Sequence, residues 1–317
     1  MTWYLVRRAG QAIAVVIGVM ILTFILIHME PGSVARSVLG IRATSDRIAI
    51  FNATYGLDQP LYKQFIDYVG QVVHGNLGTS YYLQQPVSTL VAQRLPRDLL
   101  LLGSSTVLAL LISLPMGIYQ AVRRGGIADF ALGTVSFTLY CMPAFWFAVM
   151  LVAIFAVQTH IFLPEAPSGT SIGSMLAQPR ALALPILTLT LIQVAGFSRY
   201  MRSAVIDTLA QDFLRVVRAK GLPERLVLSR HVLRNSLLPV VTIVGLSLPG
   251  LVTGAIVVEE VFNYQGMGLL FFEAATHHDF PVLLGSTLIV GVATVVGNLL
   301  ADIAYGILDP RVRYVRS

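Results

Sequence analysis

DFLRVVRAKGLPERLVLSRHVLRNSLLP, Asp212 to Pro239, is a basic stretch set between two strongly hydrophobic ones. Leu209, Phe213, Val216 and Val217 recur at i, i+4, i+7 and i+8, while Asp207, Gln211, Arg215 and Arg218 take the other side. That spacing predicts an amphipathic helix. Gly221 suits the left-handed residue that closes a helix, Pro223 the first position of the next, and Glu224 a helix N-terminus. The segment therefore reads as a helical hairpin with Lys220-Gly221-Leu222 as its exposed corner and a second helix, Glu224 to Asn235, leading into Leu237. A solvated loop needs no apolar stripe, so the hairpin reads as a handle for another molecule.

The surrounding chain says what kind of protein carries this handle. Of its 317 residues 56% are hydrophobic and 12% are charged, against about 25% charged in an ordinary soluble domain. Mean hydropathy is +0.75. The fold class expected is an all-α membrane protein. Six segments reach the roughly 20 residues that cross a hydrocarbon core of about 30 Å: Ala9 to Met29, Leu99 to Tyr119, Ala131 to Val157, Ala181 to Tyr200, Leu237 to Val258 and Val282 to Leu308. The first is longer than the apolar part of a secretory signal, so it reads as a retained helix. Pro143, Pro185 and Pro249 are expected to kink spans 3, 4 and 5.

The net charge of +6 does not point to nucleic acid, because the basic residues flank the apolar segments. With the N-terminus inside, 15 of the 22 Lys and Arg residues fall on inner segments, among them Arg7, Arg8, Arg123, Arg124, Arg202, Arg311 and Arg313. Both termini are expected in the cytosol. The domains follow as 1–29, an N-terminal segment and span 1; 30–98, an extracytoplasmic cap with a helix from Leu61 to Val73; and 99–317, a core of spans 2 to 6 carrying the hairpin at 202–236. A second outer segment, Glu259 to Pro281, is expected to bend at Gly266 and Gly268 before a short helix, Leu269 to Thr276.

The hairpin resembles the inner-membrane permease motif of ATP-binding-cassette importers. Arg218-Ala219-Lys220-Gly221-Leu222 with Arg230-His231-Val232-Leu233-Arg234-Asn235 is similar to the dipeptide, oligopeptide and nickel permease family. The likeness runs through Tyr4-Leu5-Val6-Arg7-Arg8, Gly56-Leu57-Asp58-Gln59-Pro60-Leu61, Gly75-Asn76-Leu77-Gly78-Thr79-Ser80 and the ending Leu308-Asp309-Pro310-Arg311. The family-wide Glu-Ala-Ala falls on Arg215-Val216-Val217, and its final proline on Arg234, with Pro239 coming later. The resemblance implies a six-span type I importer permease in a bacterial inner membrane, the first of two that such systems encode. It also implies that Arg215, Arg218, Ala219, Lys220, Gly221, Leu222, Glu224 and Arg230 couple to an ATPase.

The chain has two lysines, Lys63 after Tyr62 and Lys220 after Ala219, so it holds no Gly-Lys-Ser/Thr phosphate loop. ATP and magnesium are accordingly expected on cytosolic ATPase partners, one or two in number, with no cofactor on this chain. The other expected partners are a second homologous permease, an extracytoplasmic substrate-binding protein and membrane lipid. Gln193, Ser198 and Arg199, Thr253, and Asn298 with Asp302 at i, i+4 are candidates for a translocation path. His277-His278-Asp279 has metal-ligand residue types, yet neighbours on a helix do not face one another and further ligands are lacking; it reads as an exposed connector, and no metal site is assigned. A membrane enzyme is disfavoured by the absence of H-E-x-x-H, and by Gly245-Leu246-Ser247-Leu248-Pro249, which lacks the last glycine of a nucleophile elbow. Within the family a nickel or other small-solute permease is the alternative to a peptide permease. Outside it the alternative is an ion-gradient-driven transporter.

Overall fold

In hydrocarbon every backbone N–H and C=O must be satisfied within the chain, and a helix does this locally. The computed structural model describes residues 2–29, 34–40, 42–167, 169, 171–247 and 250–308, with backbone alone at 2–9, 12 and 301–308. In chain order its helices are α1 (Thr2–Met29), α2 (Val34–Leu39), α3 (Ser45–Tyr55), α4 (Leu61–Val73), α5 (Val87–Val122), α6 (Ile127–Cys141), α7 (Ala144–Leu151, continued as a π-helix over Val152–Gln158) and α8 (Ile172–Leu176). They continue with α9 (Pro179–Leu209), α10 (Asp212–Ala219), α11 (Glu224–Leu226, running through a π-helix, Val227–Val232, into α12, Leu233–Ser247), α13 (Gly250–Thr253), α14 (Ile256–Val261), α15 (Met267–Thr276) and α16 (Phe280–Leu308). Among the described residues the β structure is one isolated bridge, Thr79 to Pro86.

Four helical stretches among the described residues are long and apolar enough to cross a membrane: Val87–Val122, Pro179–Leu209, Glu224–Thr253 and Phe280–Leu300. A fifth is obtained if α6 and the helix after it count as one span. Span 3 was expected as one kinked helix and is instead broken, with its halves at 107° across Met142 and Pro143. Pro143 lacks the N–H for a helical bond and disfavours helix at the residue before it, and Met142 accordingly sits at φ −72°, ψ 133°. Span 5 also ends early, because Gly254 takes φ +76° between α13 and α14. Pro185, in contrast, lies inside the unbroken α9. Pro249 and the ending from Asp309 onward lie outside the described residues.

The chain divides into two compact units. The first comprises Met1–Asp98, Val252–Ile256 and Gln265–Val295. Its core gathers Phe24, Phe51, Tyr81, Leu90, Leu270 and Phe280, and removing such side chains from water is worth about 1.5–3 kcal/mol each. A Cβ on Gly285 would lie 2.7 Å from Val87 Cγ1, so α16 passes close to the start of α5 because that residue is glycine. Asp279 is the polar centre of this unit. It is 2% exposed. Its carboxylate accepts from the Ser80 hydroxyl and from the backbone N–H groups of Tyr81 (3.0 Å) and Tyr82 (3.2 Å), while the His277 ring stacks on Tyr82 at 3.8 Å. The exposed connector expected at His277-His278-Asp279 is therefore corrected to a buried anchor. A carboxylate that loses water needs several donors, and the 80–82 turn supplies them. α15 begins at Met267, whose N–H donates to buried Asp98 Oδ2 at 2.8 Å.

The second unit comprises Leu99–Leu251, Val257–Tyr264 and Val296–Ser317. α9 is its central helix, with Leu184, Ala195, Met201 and Val205 buried. A Cβ on Gly117 would meet Met201 Cβ at 2.7 Å and the Ser198 carbonyl oxygen at 2.8 Å. α5 and α9 thus touch backbone to backbone, the close approach that small residues allow between membrane helices. Thr188 and Thr208 return their hydroxyls to carbonyls four residues back, at 2.7 Å each, which satisfies buried polar groups inside an apolar helix. Glu259, the first residue of the second outer segment expected from the sequence, is fully buried in this unit.

Candidate functional site: the Gly221 corner

The corner forms because α9 stops at Leu209 and a short amphipathic helix, α10, restarts after Gln211 in an extended conformation (φ −76°, ψ 141°). This break corrects the apolar stripe read from the sequence. Leu209 belongs to the preceding helix, so the phase resets. In α10 it is Leu214 that is fully buried, flanked by Phe213 and Val217, while Val216 is 58% exposed. α10 ends at Ala219, and Gly221 takes φ +73° with no atom within 4 Å of where a Cβ would stand. The glycine is therefore demanded by backbone conformation and not by crowding. Pro223 then initiates α11 from φ −65°.

One side of the hairpin is fixed and the other is free. Leu214, Val227 and Val232 are buried with Met201, Val205 and Val240 in one cluster that joins the hairpin to α9 and α12. Beneath it the Ser236 hydroxyl donates to Thr208 Oγ1 at 2.9 Å and the Ala204 carbonyl at 3.2 Å. Across the turn Arg218 clamps Glu224, Nη2 to Oε1 at 2.8 Å and Nε to Oε2 at 3.3 Å. That bidentate pair holds the two arms together, although its exposure keeps its contribution to about 1 kcal/mol or less. Arg215 pairs weakly with Asp212 at 3.4 Å, with both side chains exposed. Arg215, Ala219, Lys220, Gly221 and Arg230 are exposed and Leu222 is half-buried. The result is a basic, convex corner on a rigid stem, with Val216 as an apolar spot beside it.

Within the second unit the path candidates on α9 are held by separate partners. Gln193 Oε1 accepts from the Thr106 hydroxyl at 2.9 Å. Ser198 is fully buried, its hydroxyl 3.4 Å from Ser136 Oγ, which joins α9 to α6. Arg199 lies over the Tyr140 ring at 4.8 Å. Thr253 and Asn298 are exposed, and the Asp302 side chain lies outside the described residues. Sequence reading missed the strongest ion pair of the second unit: Arg202 Nε and Nη2 each lie 2.8 Å from the carboxylate of Asp129. Asp129 also accepts from the Gly125 N–H at 3.0 Å. The only signal was an acid two residues into a predicted inner end, 73 residues away from its partner. Among the described residues no group of His, Cys, Asp or Glu could hold a metal ion.

Comparison with known proteins accounts for both halves of the chain. Residues 113–314 match the family described as binding-protein-dependent transport system inner membrane component, and residues 1–102 match the corresponding N-terminal family. The chain is 38% identical to the oligopeptide transport system permease protein AppB of Bacillus subtilis (strain 168), over 99% of this chain and 100% of that one. It is 33% identical to the dipeptide transport system permease protein DppB of Escherichia coli (strain K12), over 99% of each. The exposed glycine corner, its buried stem and the apolar helices around it are thus those of a transport subunit, and the chain belongs to the binding-protein-dependent transport system inner membrane component family.

Proposed function

We propose that this chain is one of two permease subunits in an ATP-driven importer of dipeptides or short oligopeptides. Six spans, with α6 and α7 forming a broken third, would place both termini in the cytosol and residues 30–98 outside. A second permease would supply the other half of the path, and an extracytoplasmic binding protein would deliver the peptide. Full-length similarity to two peptide permeases supports the substrate class.

The observation that carries the mechanism is the one-sided anchoring of the hairpin. Leu214 and Val227 are fully buried against α9 and α12, while Ala219, Lys220 and Gly221 project outward. A cytosolic ATPase that grips the corner would move these two helices with it, because the buried cluster and the Ser236 hydrogen bonds leave little slack. Nucleotide and peptide then need only favour different arrangements of the spans for hydrolysis to drive transport. ATP and magnesium belong to the partners in this reading. Lys220→Cys in a Cys141→Ser background, treated with a short thiol-to-amine crosslinker in native membranes, should join the chain to a polypeptide carrying a phosphate loop. Crosslinks to lipid or to itself alone, from a correctly inserted chain, would remove the corner from the coupling mechanism.

A further inference from the structure

α4 has two apolar sides and the fold uses only one. Leu61, Phe65, Tyr68 and Val72 recur at i, i+4, i+7 and i+11, and of these Phe65 and Tyr68 pack on the core of the first unit. The adjoining side presents Tyr62, Ile66 and Val73 at 70, 62 and 78% exposure, while Lys63 is exposed and belongs to neither side. A helix divided in this way has an apolar side suited to a membrane surface. Between α4 and the end of α1 runs an apolar groove of about 380 Å³, lined by Ile21, Ile25, Leu61 and Phe65. Phe24 and His28 line this groove and also a second cavity, of about 360 Å³, so the two adjoin.

The second cavity is polar, with Gln59, Gln64, Asp67, Gln71 and Asn76 on its wall and no lysine or arginine. Two of its groups lack hydrogen-bond partners, the Tyr68 hydroxyl and Gln59 Oε1. Burial holds the Tyr68 pKa above the usual phenol range, so its O–H is a donor at neutral pH. A buried donor and acceptor left open cost about 1–3 kcal/mol each, and an occupant able to bond both offsets that cost.

We propose that the groove and the cavity bind one membrane lipid, with an acyl chain against Ile21, Ile25, Leu61 and Phe65 and a hydrogen-bonding headgroup without net negative charge in the cavity. Phosphatidylethanolamine has the required chemistry. Its phosphate accepts from Tyr68, its ammonium donates to Gln59, and the Asp67 carboxylate disfavours an anionic headgroup. The proposal rests on the reading that α1 spans a membrane.

The test uses the full chain with its copurifying subunits, in phosphatidylcholine nanodiscs doped with phosphatidylethanolamine bearing a photoreactive acyl chain. Mapped adducts are expected to concentrate on Ile21, Ile25, Leu61 and Phe65. Photoreactive phosphatidylglycerol should give about fivefold less groove labelling, as should Tyr68→Phe, the weight of one hydrogen bond. Labelling spread evenly along the exposed Ile13, Ile17 and Leu22 of α1, with no excess in the groove, overturns the site while leaving the span intact. No adduct anywhere on α1 overturns the span reading itself. Equal labelling by the two headgroups overturns the headgroup assignment without any appeal to a variant.

Discussion

If the Gly221 corner couples the chain to an ATPase as proposed, Gly221→Val is expected to reduce ATP-driven uptake by about tenfold or more while the chain still inserts and ATP turnover by the copurifying subunits continues. At φ +73° with open space around it, Gly221 tolerates a larger side chain sterically but not conformationally. A β-branched residue in the left-handed region costs about 1–3 kcal/mol. Since about 1.4 kcal/mol is a tenfold change in a conformational equilibrium, that cost is enough to displace Lys220 and Leu222 from their present positions. The stem is untouched, because Leu214, Val227 and the Ser236 hydrogen bonds lie elsewhere. Gly221→Asn, whose side chain accepts this conformation better, should retain most uptake. Uptake and ATPase rates measured together in proteoliposomes separate the two variants, and full uptake by the valine form would mean that the corner's shape is not what the ATPase reads.

Asp279→Ala should be the most destabilising single substitution in the first unit. It removes the acceptor of the Ser80 hydroxyl and of two backbone N–H groups, in a site 2% exposed. Each stranded donor costs about 1–3 kcal/mol, which on the scale of a domain of this size lowers the midpoint of thermal unfolding by about 5–10 °C. Asp279→Asn keeps one oxygen but sets an N–H₂ against a donor, so it should fall between wild type and alanine. His277→Ala loses only a ring stacked at 3.8 Å on half-exposed Tyr82 and should cost least. Unfolding followed by intrinsic fluorescence in nanodiscs orders the three, and an alanine variant as stable as wild type would contradict the anchor.

Local chemistry made the elements legible in the sequence, and distance in the chain hid what joins them. Gly221 was readable as a left-handed turn because Pro223 and Glu224 follow it as helix starters, and Leu61–Val73 was readable because its apolar residues repeat with helical period. The break at Met142 and Pro143 was under-read, since the same proline chemistry leaves Pro185 inside a continuous α9, where neighbouring helices hold it in place. The Val216 assignment failed because a stripe counted across Ala210 and Gln211 assumes one helix where there are two. Asp279 and Asp129 were obscured for a different reason. Their partners lie 197 to 199 and 73 residues away, and no periodicity within a segment reveals such a pair.

Import of peptides at the cost of ATP is tested by accumulation of a labelled dipeptide in proteoliposomes containing the chain, its copurifying subunits and the matching binding protein. Uptake should require ATP inside the assay's nucleotide-accessible face and persist when ionophores collapse every ion gradient. Accumulation that proceeds without ATP and stops when a gradient is dissipated would instead make the chain part of an ion-gradient-driven transporter.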